Sequence, residues 1–483
     1  MGDDLKKKML SALTWTTVDR FGQQLVQFFI GLILVRLISK ADFGLIALVT
    51  VFVALSTALV DGGFVQALIR KKDADELDYN SVFYFNIVIS ILLYIILFFL
   101  TPSIADFFNQ PQLVFISRVL FVIIPFNALY LIPVAKMVRN LDFKNGAKVN
   151  IFSVICSGTI GVILAFNGYG VWALVIQQIL YHFVRLLSLY FVVRWKPQAL
   201  FSFKVISGFW SFSFNLLGTS ILNILFNSLY VLILGKFYKS EVGVYSQANK
   251  LNETTNTTFQ NTLVGSAYYI LVKIQDDNER FRRVFREIAR KTSLVTFPVM
   301  IVLITVAYPL ICVLMTKKWV DAVPYFQLLG LATLFAPLYS LNISALNARG
   351  KSKHTFRLEL IKKALIVSSA LVSFHFGIIA MLWGNALASF IAYLISIIYL
   401  KNDLEHYIKH QIVDFIGCIG IGLVIAACDF GLSFLIANNH SLLGIQILTS
   451  GVLYIFCINL FHRELYNQSL QFVKGKLAFI KRR

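Results

Sequence analysis

Residues 11–37 read SALTWTTVDRFGQQLVQFFIGLILVRL, an apolar run with an aspartate and an arginine set inside it. At about 1.5 Å per residue a helix of this length crosses a hydrocarbon core of roughly 30 Å, and Arg20 lies about 14 Å from its start, near the middle. A charge at that depth is costly against lipid, so Arg20 is expected to face protein or water. Trp15, Thr16, Thr17, Asp19, Gln23, Gln24 and Gln27 surround it. Two readings fit: an Asp19/Arg20 structural brace, and a polar helix lining a central cavity. The number of polar groups favours the cavity.

Composition agrees with a membrane chain. The 483 residues are 58% hydrophobic and only 14% charged, with a mean hydropathy of +0.74. A soluble chain carries about a quarter charged residues. The net charge of +20 does not point to nucleic acid, because the basic residues sit in short connections between apolar runs and no basic, aromatic-interleaved soluble module holds them. The five cysteines are scattered singly through apolar segments, which argues against disulfides, a metal site or a metal cofactor. The start, MGDDLKKKML, runs straight into a full-length span and reads as a retained signal-anchor.

The fold class expected is an all-α polytopic membrane protein of about 14 transmembrane helices. After the first, the spans fall near 43–62, 81–100, 113–134, 149–166, 170–193, 206–234 and 242–271. Further spans follow near 292–315, 323–347, 359–380, 383–400, 411–436 and 441–461. With this count, 34 of the 44 Lys and Arg fall in alternate connections and 5 in the opposite ones. Both termini are therefore expected in the cytoplasm.

An internal repeat divides the chain. The first hairpin turns through Lys40-Ala41-Asp42-Phe43-Gly44-Leu45-Ile46, and 199 residues later the chain reads Lys239-Ser240-Glu241-Val242-Gly243-Val244-Tyr245. Two pseudo-symmetric six-helix lobes are expected, 1–200 and 201–405, followed by two C-terminal helices in 406–461 and a basic cytoplasmic amphipathic tail, 462–483. An even number of spans per copy keeps both copies in one orientation, as in transporters that rock around a central cavity.

Intramembrane ionisable residues should mark the path. Besides Asp19 and Arg20 they are Arg118, Arg185, Lys250 and Glu253. Lys250 and Glu253, three apart on one face, read either as an ion pair or as cavity wall. Asp414 and Asp429 fall in span 13, outside the duplicated core, and read as braces for that helix. Amides cluster alongside the charges: Gln24 in span 1, Asn223 in span 7, and Asn252, Asn256 and Gln260 in span 8. Such a wall can hydrogen-bond sugars, and guanidinium groups beside it suit phosphate oxygens.

Several stretches carry a resemblance. They are Trp15 to Gln27, Leu34 to Gly44, Asp61-Gly62-Gly63-Phe64 before Ala67 to Lys72, Pro102 to Phe108, Arg139 to Lys144, Gly168 to Val175, Gly243-Val244-Tyr245 and Lys318-Trp319. With them the chain resembles bacterial polysaccharide flippases of the multidrug/oligosaccharidyl-lipid/polysaccharide exporter superfamily, nearest the colanic-acid and exopolysaccharide exporters. At the end of span 8 the family's Phe-Pro-x-x-Ser stretch is replaced by Ser266-Ala267-Tyr268-Tyr269.

The resemblance implies transport of undecaprenyl-pyrophosphate-linked oligosaccharide across the bacterial inner membrane by alternating access, for exopolysaccharide, capsule or O-antigen lipopolysaccharide. It implies cationic cavity residues, Arg20 foremost, no cofactor, and H+ or Na+ as the coupling ion. A polysaccharide polymerase is a further expected partner; the basic connections 272–291 and 349–363 read as topology determinants first, and as contacts for anionic membrane lipids or glycosyltransferases second. Three other classes compete with this reading. A drug/cation antiporter of the same superfamily should show acidic residues where this chain is basic. A membrane enzyme would need a catalytic extramembrane element, and the connections are too short for one. A peptidoglycan-precursor flippase is the nearer rival, disfavoured by the exopolysaccharide-like N-terminal half.

Overall fold

The apolar runs fold as helices because a backbone in lipid must satisfy its own hydrogen bonds. The computed structural model describes residues 2–260, 264–265, 267–401 and 407–461, and no strand occurs among them. The expected amphipathic tail, 462–483, lies outside the described residues.

The first helices are α1 (Gly2–Leu37), α2 (Lys40–Asp61), α3 (Phe64–Arg70), α4 (Glu76–Phe108) and α5 (Leu113–Leu120). Next come α6 (Ile123–Arg139), α7 (Phe143–Phe166), α8 (Val171–Val193), α9 (Phe203–Phe237) and α10 (Glu241–Phe259). Then follow α11 (Ala267–Lys273), α12 (Asn278–Thr305), α13 (Ala307–Met315), α14 (Ala322–Thr333) and α15 (Ala336–Ala348). The last are α16 (Ser352–Ser373), α17 (Ile378–Leu400), α18 (Tyr407–Leu435) and α19 (Asn439–Phe461).

Helix starts follow local chemistry. Ser39 caps α2, its hydroxyl accepting from the Asp42 N–H at 3.1 Å. Asp75 and Asp78 form a reciprocal capping box at the start of α4.

Among the described residues twelve helical stretches are long and apolar enough to cross a membrane. Two further expected spans, α10 with 19 residues and α16 with 22, have the length but not the apolarity. The polar cluster Asn249 to Gln260 and the charges between Lys353 and Lys363 account for that. Large apolar side chains line outer faces: Phe21, Leu25 and Phe29 on α1, and Val88, Ile91, Leu92, Ile95, Ile96 and Phe99 on α4 are exposed. A soluble monomer rarely shows such continuous apolar stripes, and lipid is their natural solvent. The protein is a multi-pass membrane protein.

The chain forms two compact units, residues 1–246 and 247–483. In the first, α1 runs along α7, α7 packs on α8, and α6 on α8. Gly158 makes the α1–α7 approach possible, since a Cβ there would lie 1.9 Å from Ile30 Cδ1. α2 packs against α6 and α9, and α9 also against α3 and α4.

A polar clasp closes the connection between α3 and α4. Lys71 Nζ donates to both Asp78 carboxylate oxygens at 2.8 and 2.6 Å. Lys136 Nζ reaches Glu76 Oε1 at 2.5 Å, and Trp195 Nε1 donates to Glu76 Oε2 at 3.0 Å. Arg139 donates to Tyr79 Oη at 2.8 Å and to the carbonyls of Ala74 and Lys72.

In the second unit α12 and α18 lie side by side, with Gly422 against Ile301 and Pro298. Phe297, Phe335, Tyr393 and Phe415 pack their rings at centroid distances of 5.0 to 6.5 Å. Asn342, wholly buried, donates to Ser396 Oγ at 2.8 Å. α18 pairs with α19, and between them lies an apolar groove of about 570 Å³ lined by Leu432, Leu435, Leu448, Val452 and their neighbours.

The repeated turns meet. Gly44 near the start of α2 and Gly243 near the start of α10 abut, backbone against backbone.

Candidate functional site: polar faces inside the spans

Helical periodicity sorts the polar residues of α1 onto one side. Thr16, Arg20, Gln23 and Gln27 recur at i, i+4, i+7 and i+11, whereas Phe21, Leu25 and Phe29 fall on the opposite side. Arg20 and Gln27 are exposed, and so is the apolar stripe. The helix therefore presents two opposed surfaces, one suited to lipid and one to water. A guanidinium at this depth is tolerated only on the second.

Asp19 and Arg20 do not brace each other. Asp19 accepts from Gln23 Nε2 at 2.7 Å and from Asn150 Nδ2 on α7 at 3.1 and 3.3 Å. Arg20 has no ion-pair partner among the described residues. The aspartate thus joins α1 to α7, and the arginine next to it is left for other use. Gln24 is half-buried, and Asn223 on α9 is exposed.

The other candidate cations of the first unit are held without carboxylates. Arg118 Nε donates to Thr101 Oγ1 at 3.1 Å, and its guanidinium stacks 4.3 Å above the Phe98 ring. That contact fixes the planar group and leaves its positive charge uncancelled. Arg185 lies 4.7 Å from the Tyr130 ring centroid, and its Nε is buried without a hydrogen-bond partner among the described residues. The Tyr130 hydroxyl accepts from Asn127 Nδ2 at 3.0 Å and is hydrogen-bonded to His182 Nδ1 at 2.9 Å. Asn127, Tyr130, His182 and Arg185 thus form one polar knot between α6 and α8.

In the second unit, Lys250 and Glu253 are both exposed and do not pair. With Thr254 and Thr257 they make a polar side of α10. Asn256 is half-buried and accepts from Gln260 Nε2 at 3.3 Å. Asn252 turns inward instead: it is 3% exposed and accepts from Thr333 Oγ1 of α14 at 3.0 Å. The expected row 252, 256, 260 is therefore partly a packing surface, and the open side runs through 250, 253 and 257.

Asn127, Tyr130, Thr101 and Asn150 were not among the expected site residues. Thr101, Tyr130 and Asn150 take their meaning from partners 17 to 131 positions away, and Asn127 joins them only through Tyr130, three residues on.

Comparison with known proteins gives these faces a context. Residues 33–324 match the family model described as "Polysaccharide biosynthesis protein". The teichuronic acid biosynthesis protein TuaB of Bacillus subtilis (strain 168) is 24% identical over 98% of this chain and 99% of its own length. The lipopolysaccharide biosynthesis protein WzxC of Escherichia coli (strain K12) is 26% identical over 76% of this chain and 75% of its own. The fold matches a solved lipid II flippase MurJ, in an inward closed conformation, with a TM-score of 0.75 at 18% identity, covering 94% of this chain and 99% of that one. The resemblance to polysaccharide exporters read from the sequence holds. The family model covers more than half of the chain, so the chain belongs to the polysaccharide biosynthesis protein family.

Proposed function

We propose that this protein flips undecaprenyl-pyrophosphate-linked oligosaccharide repeat units across the bacterial inner membrane by alternating access, both termini lying in the cytoplasm. The observation that supports the reading is the exposed polar side of α1, where Arg20 stands opposite the apolar stripe with no carboxylate among the described residues to neutralise it. An unpaired guanidinium kept inside a span is suited to a mobile anion, and a pyrophosphate offers the bidentate oxygens it prefers. Arg118, Arg185 and Lys250 are further cationic contacts along the cargo path, and the amides and threonines of α1 and α10 are contacts for sugar hydroxyls. Transport in this reading draws on an H+ or Na+ gradient. The family assignment and the names of TuaB and WzxC support a surface-polysaccharide cargo over a drug.

The test is the level of lipid-linked oligosaccharide in a deletion strain complemented with wild type or with Arg20→Ala. Intact oligosaccharide-pyrophosphate-lipid should build up in the deletion, be cleared by wild type, and persist with the arginine variant inserted at normal levels. Absence of accumulation in the deletion, with normal surface glycan, would overturn the flippase reading. Equal clearance by both proteins would remove Arg20 from the path.

A further inference from the structure

The second unit holds a carboxylate that the cargo path does not use. Asp429 is fully buried in α18, about 9 Å from the end of that helix at Leu435. Ser450 Oγ donates to its Oδ2 at 2.6 Å and Thr449 Oγ1 approaches Oδ1 at 3.4 Å, both from α19. Gln446, 1% exposed on the same helix, donates through Nε2 to the Asp429 backbone carbonyl at 2.8 Å. Its Oε1 is buried with no hydrogen-bond partner among the described residues.

Among the described residues no basic side chain answers this charge. α12, packed along α18, carries its charged residues between Glu279 and Lys291, and the stretch from Thr292 to its end at Thr305 has none. α13, which packs on α19, has none from Ala307 to Met315. On α18 itself Asp414, His410 and Lys409 lie about 22 Å or more away along the axis, and on α19 the nearest titratable nitrogen is His440, about 9 Å before Gln446. A helix brace built for its own sake would satisfy its acceptors. This one leaves a carboxylate without a counter-charge and an amide oxygen without a donor, side by side on two helices.

We propose that Asp429, Gln446, Thr449 and Ser450 form a site for a monovalent cation, Na+ or H+, between α18 and α19. The set is all oxygen, as hard cations prefer. A bound Na+ takes the carboxylate, the two hydroxyl oxygens and the Gln446 Oε1. A bound proton instead sits on the carboxyl group and is donated to Ser450 Oγ, whose lone pairs accept it. Either cation makes the helix pair neutral, so its presence and release change how α18 and α19 hold together. The site is defined without reference to any glycolipid, and its test contains none.

The experiment uses the purified full-length protein in detergent, with wild type, Asp429→Asn and Ser450→Ala. Equilibrium binding of radioactive Na+ is measured in choline chloride, together with infrared difference spectra of the carboxyl stretch across a pH jump. For a Na+ site, wild type binds saturably, Asp429→Asn does not, and Ser450→Ala binds about tenfold more weakly. For a proton site, Na+ binding is absent and a protonated-carboxyl band appears in wild type, is lost in Asp429→Asn and is shifted in Ser450→Ala. If Asp429→Asn matches wild type in both measurements, the proposal is overturned. If the asparagine variant does not elute as a folded monodisperse species, Ser450→Ala alone decides, and wild-type behaviour of that variant in both measurements overturns it equally.

Discussion

Gly243 lies against Gly44, the two glycines occupying equivalent places in the repeated turns Lys40 to Ile46 and Lys239 to Tyr245. A Cβ on Gly243 would fall 1.8 Å from the Lys40 carbonyl oxygen, and one on Gly44 would fall 3.2 Å from the Gly243 nitrogen. Two helix starts therefore meet with no side chain between them. Close approach of this kind brings Cα–H groups onto carbonyl oxygens, a weak but recurrent contact between membrane helices.

The asymmetry of those distances gives the first prediction. Gly243→Ala cannot be accommodated without moving backbone, and should cost about 1–3 kcal/mol as an overpacked contact. Gly44→Ala asks for only a few tenths of an ångström and should be the milder of the two. Thermal unfolding of the two variants in detergent, compared with wild type, checks the order. A Gly243→Ala protein as stable as wild type would mean that the two helix starts part freely.

Asp19 and Arg20 are neighbours in sequence with separate tasks, and that separation is measurable. Asp19→Ala leaves Asn150 Nδ2 and Gln23 Nε2 without their acceptor and should destabilise the protein by about 1–3 kcal/mol. Arg20→Ala removes an exposed side chain and should shift stability by no more than about 0.5 kcal/mol. Under the proposed function, however, Arg20→Ala should abolish clearance of the lipid-linked oligosaccharide. Asp19→Asn, which keeps an acceptor oxygen, should retain most of the stability. A loss of stability in Arg20→Ala equal to that of Asp19→Ala would make the arginine a structural group.

Much of the fold could be read before any coordinates, because lipid imposes length and apolarity on each span, and Ser11 to Leu37 met both conditions. The glycines at 44 and 243 were visible as a repeat, but not as a contact, since sequence spacing gives the copies and not their meeting point. α10 and α16 show the opposite case. The spacing and charge pattern of their neighbours led to spans being expected there, whereas their polar residues keep both out of the twelve stretches long and apolar enough to cross a membrane. At the site, the polar side of α1 was legible from its density. The partition of Asp19 to Asn150 was not, because adjacent opposite charges suggest a pair until a third residue from α7 competes. Asn252 was misplaced for the same reason, since its periodicity matched Asn256 and only Thr333 shows which way it turns.

The knot between α6 and α8 yields the third prediction. Tyr130→Phe keeps the ring beneath Arg185 and removes the hydroxyl that joins Asn127 to His182. The loss should be about 1–2 kcal/mol in stability, since a buried donor and a ring nitrogen lose their partner. Transport should survive if Arg185 is the group that meets the anion, because its stacking surface is intact. Arg185→Ala should show the reverse pattern, near-normal stability and impaired clearance. Equal transport defects in the two variants would instead assign the role to the hydrogen-bonded knot as a unit.

The clasp between α3 and α4 supplies the last prediction, and here the burial of the two partners decides the magnitude. Asp78 is 1% exposed and Lys71 42%. Removing the lysine leaves a buried carboxylate with only the Asp75 N–H at 3.0 Å for support, whereas removing the aspartate leaves a lysine already half in solvent. Lys71→Ala should therefore cost about 3 kcal/mol or more, the usual consequence of leaving a buried charge unpaired. Asp78→Ala also breaks the capping box, but should cost nearer 1–2 kcal/mol. The box adds a pH dependence, because the Asp78 N–H holds the exposed Asp75 carboxyl below its ordinary value. A depressed carboxyl stabilises the fold above the unfolded-state value, and its contribution is lost as pH falls through the folded-state value. Unfolding followed from neutral to acid pH should show the wild type losing this increment and Asp75→Asn lacking it throughout. If Lys71→Ala proves no more damaging than Asp78→Ala, the clasp is held by its backbone bonds, with Arg139 on the Lys72 and Ala74 carbonyls, and the ion pair is incidental.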